Sequence, residues 1–179
     1  MAVELRMAGG DPPRLVGYAA VFNAPSEDLG GFVEYVRPGA FTRSLSSGPD
    51  VVALVHHRPE LVLGRSSAGT LRLHEDAHGL RFEVDLPDTQ AGRDVGVSVQ
   101  RGDIRGASFA FSVPDGGDRW QMQGDLMTRD LLDVNIRDVT VTATPAYPDT
   151  TVAKRAMGAL MERAYEPRLA LAMRFLETV

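Results

Sequence analysis

The chain has 179 residues, 44% of them hydrophobic and 24% charged, which suits one soluble globular domain with a substantial core. Its net charge of -5 and pI near 5.3 give no basic footprint, so nucleic acid and an anionic membrane are set aside as partners. The absence of cysteine excludes disulfides, thiolate catalysis and cysteine-ligated metal, and no apolar run approaches the length of a membrane span.

In chain order, Gly9 to Pro13 read as a turn that lets Leu5 pair near Val16. Residues 14–22 read as a strand, and residues 23–50 are rich in turn formers, with Pro38-Gly39 entering a short helix in which Phe41 and Leu45 sit four apart. Residues 51–55 are a continuous apolar run, expected as a strand buried on both faces that ends in His56-His57, with Arg58-Pro59 turning the chain. Leu61 to Leu63 continue into Gly64-Arg65. Leu71 and Leu73 alternate with polar residues, and Leu80, Phe82, Val84 and Leu86 alternate with Arg81, Glu83 and Asp85, so two strands joined through residues 77–79 are expected. Pro87-Asp88-Thr89 starts a helix that runs to Gly102.

Residues 106–113 form the most distinctive strand. Ala107, Phe109, Phe111 and Val113 share one face, while Ser108, Ala110 and Ser112 share the other. Large apolar groups anchor the first face, and the second leaves room around a hydroxyl. Asp115-Gly-Gly-Asp118 makes a turn, residues 120–127 return as an exposed hairpin strand, and residues 131–135 and 137–143 form one or two more strands. From residue 151 the pattern is helical, with Val152, Ala156, Ala159 and Leu160 on one stripe and Leu169, Ala172, Met173 and Leu176 on another, expected to cap the core or to mediate self-association. The chain stops soon after that stripe, as a shortened or self-processed form would. Many short strands with few helices predict an α+β fold, a mostly antiparallel closed β-barrel with flanking helices. It would be one domain over residues 1–179, with a barrel core over about 3–150 and a helical segment over 152–179.

An isolated serine in a strand usually fills a tight position, because without a base it is a weak nucleophile. His56 and His57, at a strand end, carry the side chain best suited to take a proton near neutral pH. On adjacent strand positions their rings point to opposite faces, so only one can reach the Ser108 groove. Asp138 opens a strand in which Thr140 and Thr142 share its face, where a carboxylate can orient an imidazole. Asp133 is the rival for that role. Arg65 and Arg137 could hold a loop whose N–H groups stabilise an oxyanion. A zinc site needs three or four ligands, and the remaining histidines, His74 and His78, lie in a turn and its approach, so neither metal nor cofactor is expected.

Three blocks, Leu54-Val-His-His-Arg-Pro59 with Leu63-Gly-Arg65, Gly106-Ala-Ser-Phe-Ala-Phe111, and Asp138-Val-Thr-Val-Thr-Ala-Thr-Pro-Ala-Tyr-Pro148, resemble the signature blocks of the HK97-type tailed-phage prohead maturation proteases. Gly17-Tyr-Ala-Ala-Val-Phe-Asn23 and Pro38-Gly-Ala-Phe41 resemble that family's N-terminal blocks, so the likeness runs in order over roughly residues 14–155. The resemblance implies a serine endopeptidase with an assemblin-like barrel, acting on the major capsid protein or its scaffold segment inside assembling proheads in the host cytoplasm. It implies self-association and self-cleavage as further properties. In the family's pattern the histidine stands two residues before a proline, which selects His57. The serine of its block is Ser108, and the acid is Asp138. Two departures stand out, since many members resemble Asn-His-Asp where this chain has His56-His57-Arg58, and many have Glu in place of Asp138. The rival from another class is a non-enzymatic capsid- or scaffold-binding module, and an esterase would need a deep apolar pocket.

Overall fold

The computed structural model describes residues 5–143, all within the unit Met1–Pro148. The helices expected over residues 152–179 lie outside the described residues. Eleven strands and two helices are formed among the described residues: β1 (Leu5–Ala8), β2 (Arg14–Val21), β3 (Phe32–Val36), α1 (Thr42–Ser46), β4 (Val52–Val55), β5 (Arg58–Arg65), β6 (Leu71–Glu75), β7 (Gly79–Asp85), α2 (Gln90–Arg101), β8 (Gly106–Ser112), β9 (Asp118–Gln123), β10 (Leu126–Leu131) and β11 (Asn135–Thr142).

The strands make three open sheets with orders β1-β2-β7-β6, β3-β10-β9 and β5-β4-β11-β8, which corrects the expectation of a closed β-barrel with flanking helices. The fold is mostly β. Closure requires the outermost strands of a sheet to hydrogen-bond each other, and among the described residues six strands remain edges. Several of those edges discourage pairing, as edge strands commonly do. β6 presents Arg72, His74 and Glu75, β9 presents Asp118, Arg119, Gln121 and Gln123, and β5 carries Pro59 together with two register breaks against β4. Two pairings, β3 with β10 and β4 with β11, are parallel. Parallel neighbours need crossovers, which short-range turn signals do not disclose.

Local chemistry accounts for the elements. β1 pairs with β2 around the 9–13 turn, Leu5 opposite Gly17, and the alternation of β7 buries Leu80, Phe82 and Val84. The Thr89 hydroxyl caps α2 by accepting from the Gly92 amide at 3.2 Å, and Gly102 ends the helix in the left-handed region at φ 78°. A Cβ at Gly92 would lie 2.1 Å from the Pro87 carbonyl oxygen, so only glycine lets the first turn approach that closely. Two details differ from expectation. β3 forms within a stretch of turn residues, through pairing with β10, and the 120–127 strand is divided by a two-residue return at Gly124-Asp125.

Phe109 of β8 stacks on Phe111 and meets Phe41 edge-on at 5.3 Å, so the apolar face of the Ser108 strand is fixed in the core beside Ala107, Val139 and Val141. In the three-stranded sheet, buried Arg129 donates to Glu34 at 3.0 Å and to Asp118 at 2.8 Å and lies over the Trp120 ring. Burial pushes the Glu34 carboxyl up to about 7 even with that guanidinium beside it.

Charge also stitches the first sheet. Asp85 on β7 receives a two-pronged bond from Arg72 of β6, both arms 2.8 Å, and one from Arg14 of β2 at 3.0 Å. The Arg72 guanidinium, with Arg14 behind it, holds the Asp85 carboxyl down at about 2. A depressed acid stabilises the fold above its unfolded pKa and loses that contribution as pH falls through the folded one. Asp85→Asn should therefore cost about 1–2 kcal/mol at pH 7 after allowance for solvent screening. In urea titrations against wild type, that difference should shrink between about pH 4 and pH 2 and vanish below it.

Candidate active site

The sheet β5-β4-β11-β8 carries Ser108 on β8, Asp138 on β11 and the His56-His57 return after β4, with β11 between β4 and β8. Across the antiparallel ladder Thr140 stands opposite Ser108, Asp138 opposite Ala110 and Thr142 opposite Gly106. Directly opposed residues share a face, so the carboxylate and the serine hydroxyl lie on one side, with only small groups between them on β8. Ser108 is 4% exposed.

That shared face depends on a bulge. Ile136 pairs with Phe111 and Asp138 with Ala110, so Arg137 is an extra residue with no partner on β8. Without it, Ile136 and Asp138 would fall on the same face. With it, Ile136 enters the core while Asp138 turns to the Ser108 side.

The histidines are not on a strand. Val55 pairs with Arg58, so His56 and His57 are the two residues of a hairpin return, with φ of 51° and 54°. Both are left-handed, the backbone sense of the primed turns that follow the twist of a hairpin and normally take Asn-Gly. This corrects the expected turn at Arg58-Pro59 and the opposite-faces argument for the two rings. Pro59 lies inside β5, an edge strand where a missing N–H is tolerated.

The turn folds back over β11. The His56 amide donates to the Val141 carbonyl at 3.0 Å, and the His57 amide donates to Thr140 Oγ1 at 2.8 Å. The rings then separate. His57 Nδ1 lies 2.8 Å from Asp138 Oδ1, and His56 Nδ1 lies 3.0 Å from Thr142 Oγ1. Side-chain exposure is 25% for His57 and 17% for Asp138, a pair shielded yet reachable.

Other candidates go elsewhere. Asp133 receives Arg43 Nε of α1 at 2.6 Å. Arg65 stands across β4 from Asp138, in the row Arg65, Val52, Asp138. Its amide donates to Thr70 Oγ1 at 2.9 Å, and its side chain lies 3.6 Å from Asp50. Arg137 is the exposed bulge residue beside Asp138. His78 meets the Tyr18 ring edge-on at 4.6 Å, and no cluster with metal-ligand geometry occurs among the described residues. A shallow cleft of about 380 Å³, lined in part by Pro38, Thr42, His74 and Glu75, touches neither Ser108 nor His57. Its Glu75 carboxylate already accepts from the Gly39 amide and the Thr42 hydroxyl. The sequence reading placed Thr140 and Thr142 on the right face but missed their bonds to the histidine turn. Only the parallel pairing of β4 with β11 reveals them.

A carboxylate on one ring nitrogen is the arrangement that orients an imidazole as a base, and the shielded Ser108 lies on the face of the sheet that carries that carboxylate. The chain matches the family described as caudovirus prohead serine protease over residues 2–163, and it belongs to that family. This membership makes it a phage-type serine peptidase by class, with capsid proteins as the substrates the family implies. No curated protein and no solved structure gives a match.

The turn supplies its own test. A β-branched residue at φ 51° is strained where Asn is tolerated. His56→Val should unfold at lower denaturant than His56→Asn, by about 1–2 kcal/mol, although both remove the ring's bond to Thr142. Equal stabilities would contradict a left-handed conformation at this position.

Proposed function

We propose that the chain is a serine endopeptidase that cleaves capsid and scaffold polypeptides during prohead maturation, inside assembling proheads in the host cytoplasm, with self-cleavage as an accompanying activity. The observation that carries this reading is the 2.8 Å bond between His57 Nδ1 and Asp138 Oδ1, made on the sheet face where Ser108 stands opposite Thr140. Family membership supports the same chemistry.

In this mechanism Asp138 accepts the Nδ1 proton of His57 and so fixes the tautomer whose Nε2 is free to act as a base. Nε2 takes the Ser108 hydroxyl proton as Oγ attacks the scissile carbonyl. The proton then passes to the leaving amine as the peptide C–N bond breaks and an acyl-serine forms. Water, deprotonated by the same nitrogen, releases the acyl group and restores the serine. Gly106 and Ala110 flank Ser108 on its face of β8, so its neighbours on that strand present a bare backbone and a methyl group.

Ser108→Ala should leave the fold intact and abolish cleavage of a co-expressed capsid precursor, with new termini mapped by mass spectrometry. On a peptide substrate His57→Ala should lose on the order of a thousandfold or more, as expected for a triad member. His56→Ala should lose far less. The opposite ranking in folded variants would move the base to His56, and processing by Ser108→Ala would remove the serine mechanism.

A further inference from the structure

Thr140 is fully buried at the centre of the catalytic sheet, yet it carries a hydroxyl. Its backbone neighbours are Ser108 on one side and Leu54 on the other. Its Oγ1 donates to the Leu54 carbonyl at 3.1 Å and accepts from the His57 amide at 2.8 Å. The hydroxyl therefore bridges the last regular part of β4 to the turn that follows it.

The His57 amide needs such a partner. A residue at φ 54° in a two-residue return has left the β4–β11 ladder, so its N–H must find an acceptor outside the regular pairing. Thr140 supplies one from the strand that also holds Asp138, two residues away and on the same face. One strand thus fixes both ends of His57, the backbone through Thr140 and the ring through Asp138. Valine would fill the same volume and suit the strand equally well. It would leave the His57 amide and the Leu54 carbonyl without this link.

We infer that Thr140 is a positioning residue for the proposed peptidase, holding the left-handed backbone of His57 so that Nδ1 stays on Asp138. The inference rests on the assignment of His57 as the base. A merely structural hydroxyl would affect folding, and a positioning one affects turnover in the folded enzyme.

The experiment compares the full chain with Thr140→Val and Thr140→Ser on one peptide substrate, with Ser108→Ala and His57→Ala run alongside. Folded Thr140→Val should lose about tenfold to a hundredfold in kcat, the scale expected for a misplaced catalytic group. KM should stay within about twofold, since no substrate contact is removed. The downfield NMR signal of the His57 Nδ1 proton, expected in wild type and in Thr140→Ser, should be lost in Thr140→Val. Thr140→Ser, which keeps the hydroxyl, should retain kcat within about threefold. A folded Thr140→Val with unchanged kcat and an unchanged proton signal overturns the inference while leaving the peptidase reading in place. If the valine variant does not fold, the serine variant decides: retained kcat supports the role, and a loss of about tenfold or more removes it. Activity surviving in Ser108→Ala would instead overturn the peptidase reading itself.

Discussion

The register of β11 against its two neighbours is the constraint on which the site depends. This strand runs parallel to β4 and antiparallel to β8, and a slip of one residue on either side would send its side chains to the wrong face. Two features pin it. Phe109, stacked on Phe111 and edge-on to Phe41, fixes β8 to the core, and Ile136, Val139 and Val141 fix β11. The bulge at Arg137 then reconciles Ile136 pointing inward with Asp138 pointing outward. The carboxylate's direction is thus set by apolar packing on the opposite side of the sheet.

The His56-His57 return is the second constraint. Two non-glycine residues in left-handed conformations cost on the order of 1–3 kcal/mol each, and a sequence selected only for stability would place Asn-Gly here. The turn recovers part of that cost through hydrogen bonds from both amides and both rings to β11, each worth about 1 kcal/mol net. All four acceptors or partners come from residues 138 to 142 of one strand. Strain held in place by a neighbouring strand is a common condition of functional sites, and here it puts an imidazole beside a carboxylate that lies 81 residues further along the chain.

Much of this was legible in the sequence because it rests on local periodicity. The alternation through Phe109 and Phe111 placed Ser108 on a face of small residues, and the alternation through Val139 and Val141 placed Asp138 with Thr140 and Thr142. The Thr89 cap and Gly102 bounded α2 for equally local reasons. What could not be read was non-local. β3 is a strand because β10 pairs with it, although its own flanks look like loop. Pro59 suggested a turn, but Pro is also acceptable in an edge strand, and which strand forms the edge is a property of the whole sheet. Sheet closure failed as an expectation for the same reason. Alternation announces half-buried strands and says nothing about whether the first meets the last.

Access to Ser108 follows from the same geometry. The serine is almost wholly buried, so on the proposed reading its hydroxyl must be approached from the face it shares with Asp138 and Thr140. The apolar side of β8 is turned into the core, and Gly106, buried, and Ala110, half-buried, flank Ser108 on the other face. On the proposed reading, side chains further from the hydroxyl are left to set selectivity. Arg58, Arg65 and Arg137 are exposed side chains at the end of the histidine turn, in the row of Asp138, and at the bulge. Of these, Arg58 is already engaged by Glu60 and Arg65 lies near Asp50. Arg137 has no ion-pair partner among the described residues, and it is also the bulge residue that turns Asp138 to the Ser108 side.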